Sequence, residues 1–120
     1  MKTILTITAA LLFTAPALAH ETKGPHGGRQ IDAGKMHVEL LAKGAVVDVY
    51  VSDGAGKPVD AGAYKGIAIL LVGGKPARIP LAPAGADRLT GTASADLGTV
   101  LKGAVQITTS DGVTSQGKFD

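Results

Sequence analysis

Three histidines and one glutamate near the start of the chain are the side chains with the greatest capacity to bind a ligand. The histidines are His20, His26 and His37, and Glu39 follows the last of them by two positions. Imidazole nitrogen and carboxylate oxygen form a normal ligand set for zinc, copper, nickel and cobalt. Because the chain has no cysteine, a thiolate site is excluded. The residue types therefore point to a metal ion held by nitrogen and oxygen.

His37 and Glu39 are expected on one face of a β-strand. The run from Lys35 to Leu41 has an extended pattern, and alternate side chains of a strand point to opposite faces. The opposite face is apolar and is expected to pack in the core; it carries Met36, Val38 and Leu40. We therefore interpret Met36 as a core residue and not as a ligand.

His26 is expected in a loop of defined shape, Gly24-Pro25-His26-Gly27-Gly28. Proline fixes one turn residue, and the glycines allow positive φ and close backbone approach. If this loop folds back beside the strand, His26, His37 and Glu39 converge on one ion. The alternative is that His26 is an ordinary turn residue and that the other two are ordinary solvent-facing side chains. Asp48 on the next strand is a further candidate to approach His37 across the strand pair, but we interpret it as an ordinary exposed carboxylate.

The first 19 residues have the layout of a secretory signal peptide: Lys2, an apolar run, and the small-x-small triplet that ends at Ala19. Cleavage after Ala19 makes His20 the amino-terminal residue. Its free amine and ring nitrogen then form a chelate suited to Cu(II). The apolar run is shorter than the roughly 20 residues of a membrane helix. We expect a soluble, periplasmic protein that is not inserted in the membrane after the signal is removed.

The remaining sequence predicts a mostly β protein with a single antiparallel β-sandwich, Ig-like, of about seven short strands. The domain boundaries are a signal peptide at 1–19, an N-terminal Gly/Pro/His loop segment at 20–34 and the β-sandwich domain at 35–120. A small barrel fits the same spacing of turns. Internal glycines and β-branched residues disfavour helices at 61–72 and 93–102. The predicted strands are 35–41, 46–52, 67–72, 75–81, 88–93, 105–109 and 113–119.

Composition argues against two classes of function. The formal net charge is +2 with both signs scattered along the chain, and aromatic residues make up 3%, too few for a base-stacking platform. The sequence contains neither a Gly-x-Ser-x-Gly turn nor a glycine-rich phosphate loop that leads into a helix. We expect no nucleic-acid partner and no enzymatic activity.

The segment from Gly24 to Pro58 resembles a known class of exported protein. Its motifs, Pro25-His26-Gly27-Gly28-Arg29 and His37-Val38-Glu39-Leu40, are similar to part of the periplasmic adaptor subunits of heavy-metal efflux pumps and to small exported proteins of metal-resistance systems. The resemblance implies a periplasmic accessory role, with metal contact at His26, His37 and Glu39. The sequence shows no long helical hairpin or lipoyl-like part, so we do not expect the pump-bridging subunit itself.

Two functions follow from these observations. The first is a periplasmic protein that buffers or delivers a divalent transition-metal ion in metal resistance or efflux, with copper or zinc ahead of cobalt or nickel. Its predicted ligands are His20, His26, His37 and Glu39. The alternative is a metal-free interaction module that docks on an efflux adaptor or another envelope protein, through a sheet edge or the loop from Pro25 to Gly28.

Overall fold

The computed structural model describes residues 21–120. Over that range the chain forms nine β-strands and no helix, so no helix there is long and apolar enough to cross a membrane. In chain order the strands are β1 (Thr22–Lys23), β2 (Arg29–Ala33), β3 (Met36–Lys43), β4 (Val46–Ser52), β5 (Lys65–Val72), β6 (Lys75–Pro83), β7 (Arg88–Thr92), β8 (Gly103–Thr108) and β9 (Thr114–Phe119). The predicted signal peptide at 1–19 and His20 lie outside the described residues.

All nine strands pair antiparallel in one order, β1-β2-β3-β4-β7-β6-β5-β8-β9. The link between the two halves is narrow, since β6 and β7 share only two residue pairs, Ala82 with Thr90 and Pro83 with Leu89. The sheet curls into a half-barrel. The mostly β prediction is confirmed, and the seven predicted strands are present as β3 to β9. The finer prediction of an Ig-like sandwich is not confirmed.

The prediction that 20–34 is a loop segment was wrong in part, because β1 and the whole of β2 lie in this range. The reason is visible in the alternation of β2. Ile31 and Ala33 enter the core with 2% and 0% of their surface exposed, while Asp32 between them is exposed. One large apolar side chain in a short polar run is a weak pattern, but pairing with β3 makes it a strand.

The core lies on the inner face of the curled sheet and is aliphatic except for Phe119. On β4, Val47, Val49 and Val51 are buried and alternate with partly exposed polar residues. Met36 packs against this core, as predicted. The outer face of β2, β3 and β4 is therefore the surface on which the polar side chains of these strands lie.

Arg29 joins the two ends of the strand order. Its guanidinium donates to the Glu21 carboxylate and to the carbonyl oxygens of Leu101 and Asp120. It also lies 5.7 Å from the centre of the Phe119 ring. The hydrogen bond from Arg29 holds the pKa of Glu21 below its ordinary value, and the same contact raises the pKa of Arg29. This cation therefore ties the start of the described chain to its last strand.

Candidate functional site

Glu39 is the one charged side chain that is buried among residues 21–120, with 2% of its surface exposed. It lies on the outer face of β3, opposite Gln30 on β2 and Tyr50 on β4. Strand alternation alone would leave this position in solvent. The loop of residues 24–28 covers it instead, so the carboxylate is enclosed between the sheet and the loop.

The Glu39 carboxylate accepts three hydrogen bonds from this loop. Oε2 accepts from the backbone N–H of His26 at 2.9 Å and from that of Gly28 at 2.8 Å. Oε1 lies 2.7 Å from Nδ1 of the His26 ring. A buried carboxylate needs such donors to replace the water it loses. Both oxygens of Glu39 are therefore engaged by the loop.

The glycines of the loop are required by close approach to β3. A Cβ atom at Gly24 would lie 2.2 Å from Cδ of Glu39, and one at Gly28 would lie 2.6 Å from the carbonyl oxygen of Leu40. Gly27 has a φ of 85°, a conformation that side chains rarely adopt. The loop is closed by a hydrogen bond of 2.8 Å from the Gly24 N–H to the Gly28 carbonyl. The sequence around His26 is thus shaped to lie directly on Glu39.

His26 is held on two sides. Its ring stacks on that of Tyr50, with 3.6 Å between the ring centres and 11° between their planes. Glu39 holds Nδ1, and Nε2 is the ring nitrogen that Glu39 does not engage. The side chain is 40% exposed. A cleft of about 30 Å³ beside it, lined in part by Tyr50, Pro58 and Asp87, has room for water or a small ion and not for an organic substrate.

The hydrogen bonds at Glu39 also select the tautomer of His26. A carboxylate can only accept, so the imidazole nitrogen that faces it must donate. Nδ1 then carries the proton of the neutral ring, and Nε2 keeps its lone pair. The outer nitrogen of His26 is therefore free to bind a metal ion or to accept a hydrogen bond.

His37 forms a separate pair with Asp32. Its Nδ1 lies 2.7 Å from Oδ1 of Asp32, the residue opposite it on β2. Its Nε2 is 3.4 Å from the carbonyl oxygen of Gly54. The side chains of His37 and Asp32 are 28% and 64% exposed. His37 and Glu39 share a strand face as predicted, but each has its own partner.

The predicted convergence of His26, His37 and Glu39 is therefore met only by His26 and Glu39. Among residues 21–120, no three histidine, aspartate or glutamate side chains lie close enough together to hold a metal ion. Asp48 does not face His37 either; it lies opposite Leu41, is 19% exposed and has Arg88 at 3.9 Å.

Sequence reasoning missed two residues of this region. Asp32 lies opposite His37 because β2 and β3 are joined by the two-residue turn at Gly34 and Lys35. That turn was a usable signal, since a two-residue hairpin fixes which residues face each other. The stacking of Tyr50 on His26 depends on how the loop folds back, and no local pattern shows it.

Comparisons of the chain with protein-family models, with curated proteins and with solved structures give no match. The resemblance to metal-efflux proteins stays a prediction from the motifs at 25–29 and 37–40. The geometry around His26 is therefore the basis on which a function is inferred.

Proposed function

We propose that this chain is an exported periplasmic protein that binds a divalent transition-metal ion through Nε2 of His26 and buffers or delivers it in metal resistance or efflux. One observation supports this most directly: Nδ1 of His26 lies 2.7 Å from the buried Glu39 carboxylate. Histidines that bind metals usually donate their other ring N–H to a carboxylate or a carbonyl, which fixes the tautomer and raises the basicity of the ligating nitrogen.

The geometry gives Glu39 the role of a positioning residue in this proposal. Its two oxygens already accept from two backbone N–H groups and the His26 ring, so it has little capacity left to bind a metal ion. His26 is the ligand, and Tyr50 supports the face of its ring. Imidazole suits both copper and zinc, which remain the first candidates, with cobalt and nickel after them.

The number of ligands favours transient binding. Structural metal sites in proteins are closed by about four protein ligands. Here His26 provides one open nitrogen, and the pair of His37 with Asp32 lies apart from it. An ion held by few protein ligands exchanges readily, which suits buffering or delivery. The amino-terminal chelate predicted at His20 would add donors and is tested as a separate arm.

The proposal is tested by calorimetric titration of the exported protein, with its amino terminus verified, against Zn(II), Cu(II), Co(II) and Ni(II). His26→Ala should weaken binding by at least about 10-fold, the scale of losses at metal sites. His37→Ala is the matched control, since it also removes one imidazole from the same sheet face, and it should change affinity little. His20→Ala measures the contribution of the predicted chelate.

Two results would contradict the proposal. One is an affinity of His26→Ala equal to that of the wild type. The other is an affinity that does not change with pH, because protons compete with metal ions for imidazole nitrogen and binding should weaken as the solution is made more acidic.

A metal-free interaction module is the second candidate, and one observation favours it. Glu39 holds the loop of residues 24–28 by two backbone N–H bonds that need no metal ion. A loop fixed in this way presents Pro25 and Gly27 in one shape, which is what a docking loop requires. This function replaces the first if the titrations show no histidine-dependent binding while amide exchange shows that the loop is ordered.

A further inference from the structure

The outer face of β5 carries apolar side chains where a solvent-facing strand is usually polar. Ile67 and Ile69 are partly exposed and Leu71 is 43% exposed, while Ala68 and Leu70 between them are in the core. β5 is flanked by β6 and β8, so this row runs along the middle of the sheet half formed by β5, β6, β8 and β9. The apolar surface is therefore continuous along a central strand and not scattered.

Neighbouring strands extend the apolar row and place cations beside it. Pro80 lies opposite Ile67, and Pro76 lies opposite Leu71. Arg78 on β6 and Ala104 on β8 flank Ile69, and Lys118 on β9 lies opposite Ala104. Across the strands, Ile69 and Ala104 therefore lie side by side with a cation at each end.

The charged side chains on the strands of this half of the sheet are all cations. β5, β6, β8 and β9 contain no aspartate or glutamate, whereas β2, β3 and β4 contain Asp32, Glu39 and Asp48. Lys65 begins β5 on the face of Ile67 and Ile69, and it is exposed like Arg78 and Lys118. We name the surface made by Lys65, Ile67, Ile69, Leu71, Arg78 and Lys118 the cationic apolar face.

We propose that the cationic apolar face docks on a protein whose matching surface has an apolar centre and a rim of carboxylates. Protein interfaces bury an apolar core inside a polar rim, and complementary charges at the rim set specificity and association rate. Exposed contiguous apolar surface rimmed by polar groups marks such sites. A second copy of this chain is disfavoured as the partner, because pairing this face with itself would oppose cations with cations.

A lipid surface fits the face less well than a protein does. Amphipathic elements that bind membranes bury their apolar side about 5–10 Å below the headgroups and often carry aromatic anchors. Ile67 and Ile69 are half-buried between neighbouring strands, and the face has no aromatic side chain. A row of isoleucine and leucine side chains with cations at its border suits packing against another protein surface.

The test places a photo-crosslinking amino acid at Leu71 in the full chain expressed in cells, with Lys43, exposed on β3 in the other half, as the control position. We expect an adduct with a protein at position 71 and none at 43. The crosslinked protein is then purified and titrated with three forms of the chain: the wild type, the double variant Arg78→Glu/Lys118→Glu, and Lys43→Glu/Lys57→Glu. The last makes the same change in net charge at exposed positions outside the face.

The expected result is that the double variant weakens binding at least about 10-fold, and that binding weakens as salt rises from about 0.15 to 0.5 M. Lys43→Glu/Lys57→Glu should bind like the wild type. Circular dichroism melting verifies that the variants fold. The proposal is overturned by no adduct, by equal adducts at both positions or by an adduct with a second copy. Charge-dependent binding to phosphatidylglycerol vesicles, or a partner that binds the double variant normally, also overturns it.

Discussion

Two histidine–carboxylate pairs on one face of the sheet have the same distance and different surroundings. Nδ1 is 2.7 Å from a carboxylate oxygen both in the pair of His26 with Glu39 and in the pair of His37 with Asp32. Glu39 is 2% exposed and accepts two backbone N–H bonds in addition, whereas Asp32 is 64% exposed. Because water screens an exposed pair, the distance alone does not show how much a histidine–carboxylate pair contributes to the stability of the fold.

The difference assigns separate roles to the two histidines. The position of His26 is set by the loop, by the Tyr50 ring and by a buried carboxylate, so the lone pair of its Nε2 points in one fixed direction. His37 can exchange its contact with Asp32 for water at little cost in free energy. We therefore expect His26 to be the site of ligand binding and His37 to be replaceable.

The largest expected effect is on stability when each carboxylate is removed. Glu39→Ala should lower the free energy of unfolding by about 3 kcal/mol, because two backbone N–H groups and the ring lose their acceptor. Asp32→Ala should change it by less than about 1 kcal/mol. Chemical denaturation followed by circular dichroism measures both values. Equal losses in the two variants would contradict the contrast between the pairs.

A second effect tests whether the loop must lie directly on Glu39. Gly24→Ala would place a Cβ atom 2.2 Å from the Glu39 side chain, and overpacking of this kind typically costs about 1–3 kcal/mol. Gly54→Ala is the matched control, since its Cβ would lie in ordinary contact, 3.4 Å from the nearest atom. If thermal denaturation gives the same melting temperature for both variants, the loop does not need to lie this close to Glu39.

A third effect concerns the tautomer of His26 and is smaller. In Glu39→Gln the amide oxygen must face the two backbone N–H groups, so the amide N–H₂ must face Nδ1. Nδ1 then accepts and Nε2 carries the proton, which removes its lone pair from metal binding. We expect zinc affinity to fall about 10- to 100-fold, the range seen when such partners are lost.

Asp32→Asn is the control for this variant, because it makes the same chemical change in the exposed pair. Zinc affinity should stay within about 2-fold of the wild type, as expected for a side chain outside the site. If Glu39→Gln binds zinc as tightly as Asp32→Asn does, Glu39 does not position the ligand.

The smallest effect extends the comparison to the partly exposed pair of Glu21 with Arg29. Arg29 lowers the pKa of Glu21 in the folded protein below its ordinary 4.5. The pair therefore stabilises the fold above pH 4.5, and this stabilisation is lost as the pH falls through the lower folded pKa. Glu21→Gln should cost less than about 1 kcal/mol near pH 7, and the cost should be smaller near pH 2. Melting curves at both pH values decide this, and a cost that is undiminished in acid would contradict it.

Much of the β fold was predictable because its patterns are local. Val46 to Ser52 is predicted as a strand with the bounds that β4 has, since it is a run rich in β-branched residues that ends at turn residues. Asp111-Gly112 is a strong local signal for a hairpin turn, and it lies in the turn between β8 and β9. The curl of the sheet depends on the two-pair contact between β6 and β7, which no local pattern encodes.

The residues of the site were predictable from the sequence, but the contacts between them were not. Alternation correctly gave His37 and Glu39 one face, and the glycines correctly indicated a loop of special shape at His26. Which histidine reaches Glu39 depends on how that loop lies across β3, a contact between residues 13 positions apart. Sequence spacing does not determine such a contact, because the loop can close in more than one direction.

The most direct test is nitrogen NMR of the imidazole rings in labelled protein, before and during addition of Zn(II). Free His26 should show a protonated Nδ1 and an unprotonated Nε2, and zinc should shift Nε2 of His26 before any nitrogen of His37. If free His26 carries its proton on Nε2, or if zinc shifts His37 first, the account of Glu39 as the group that positions His26 for metal binding is wrong.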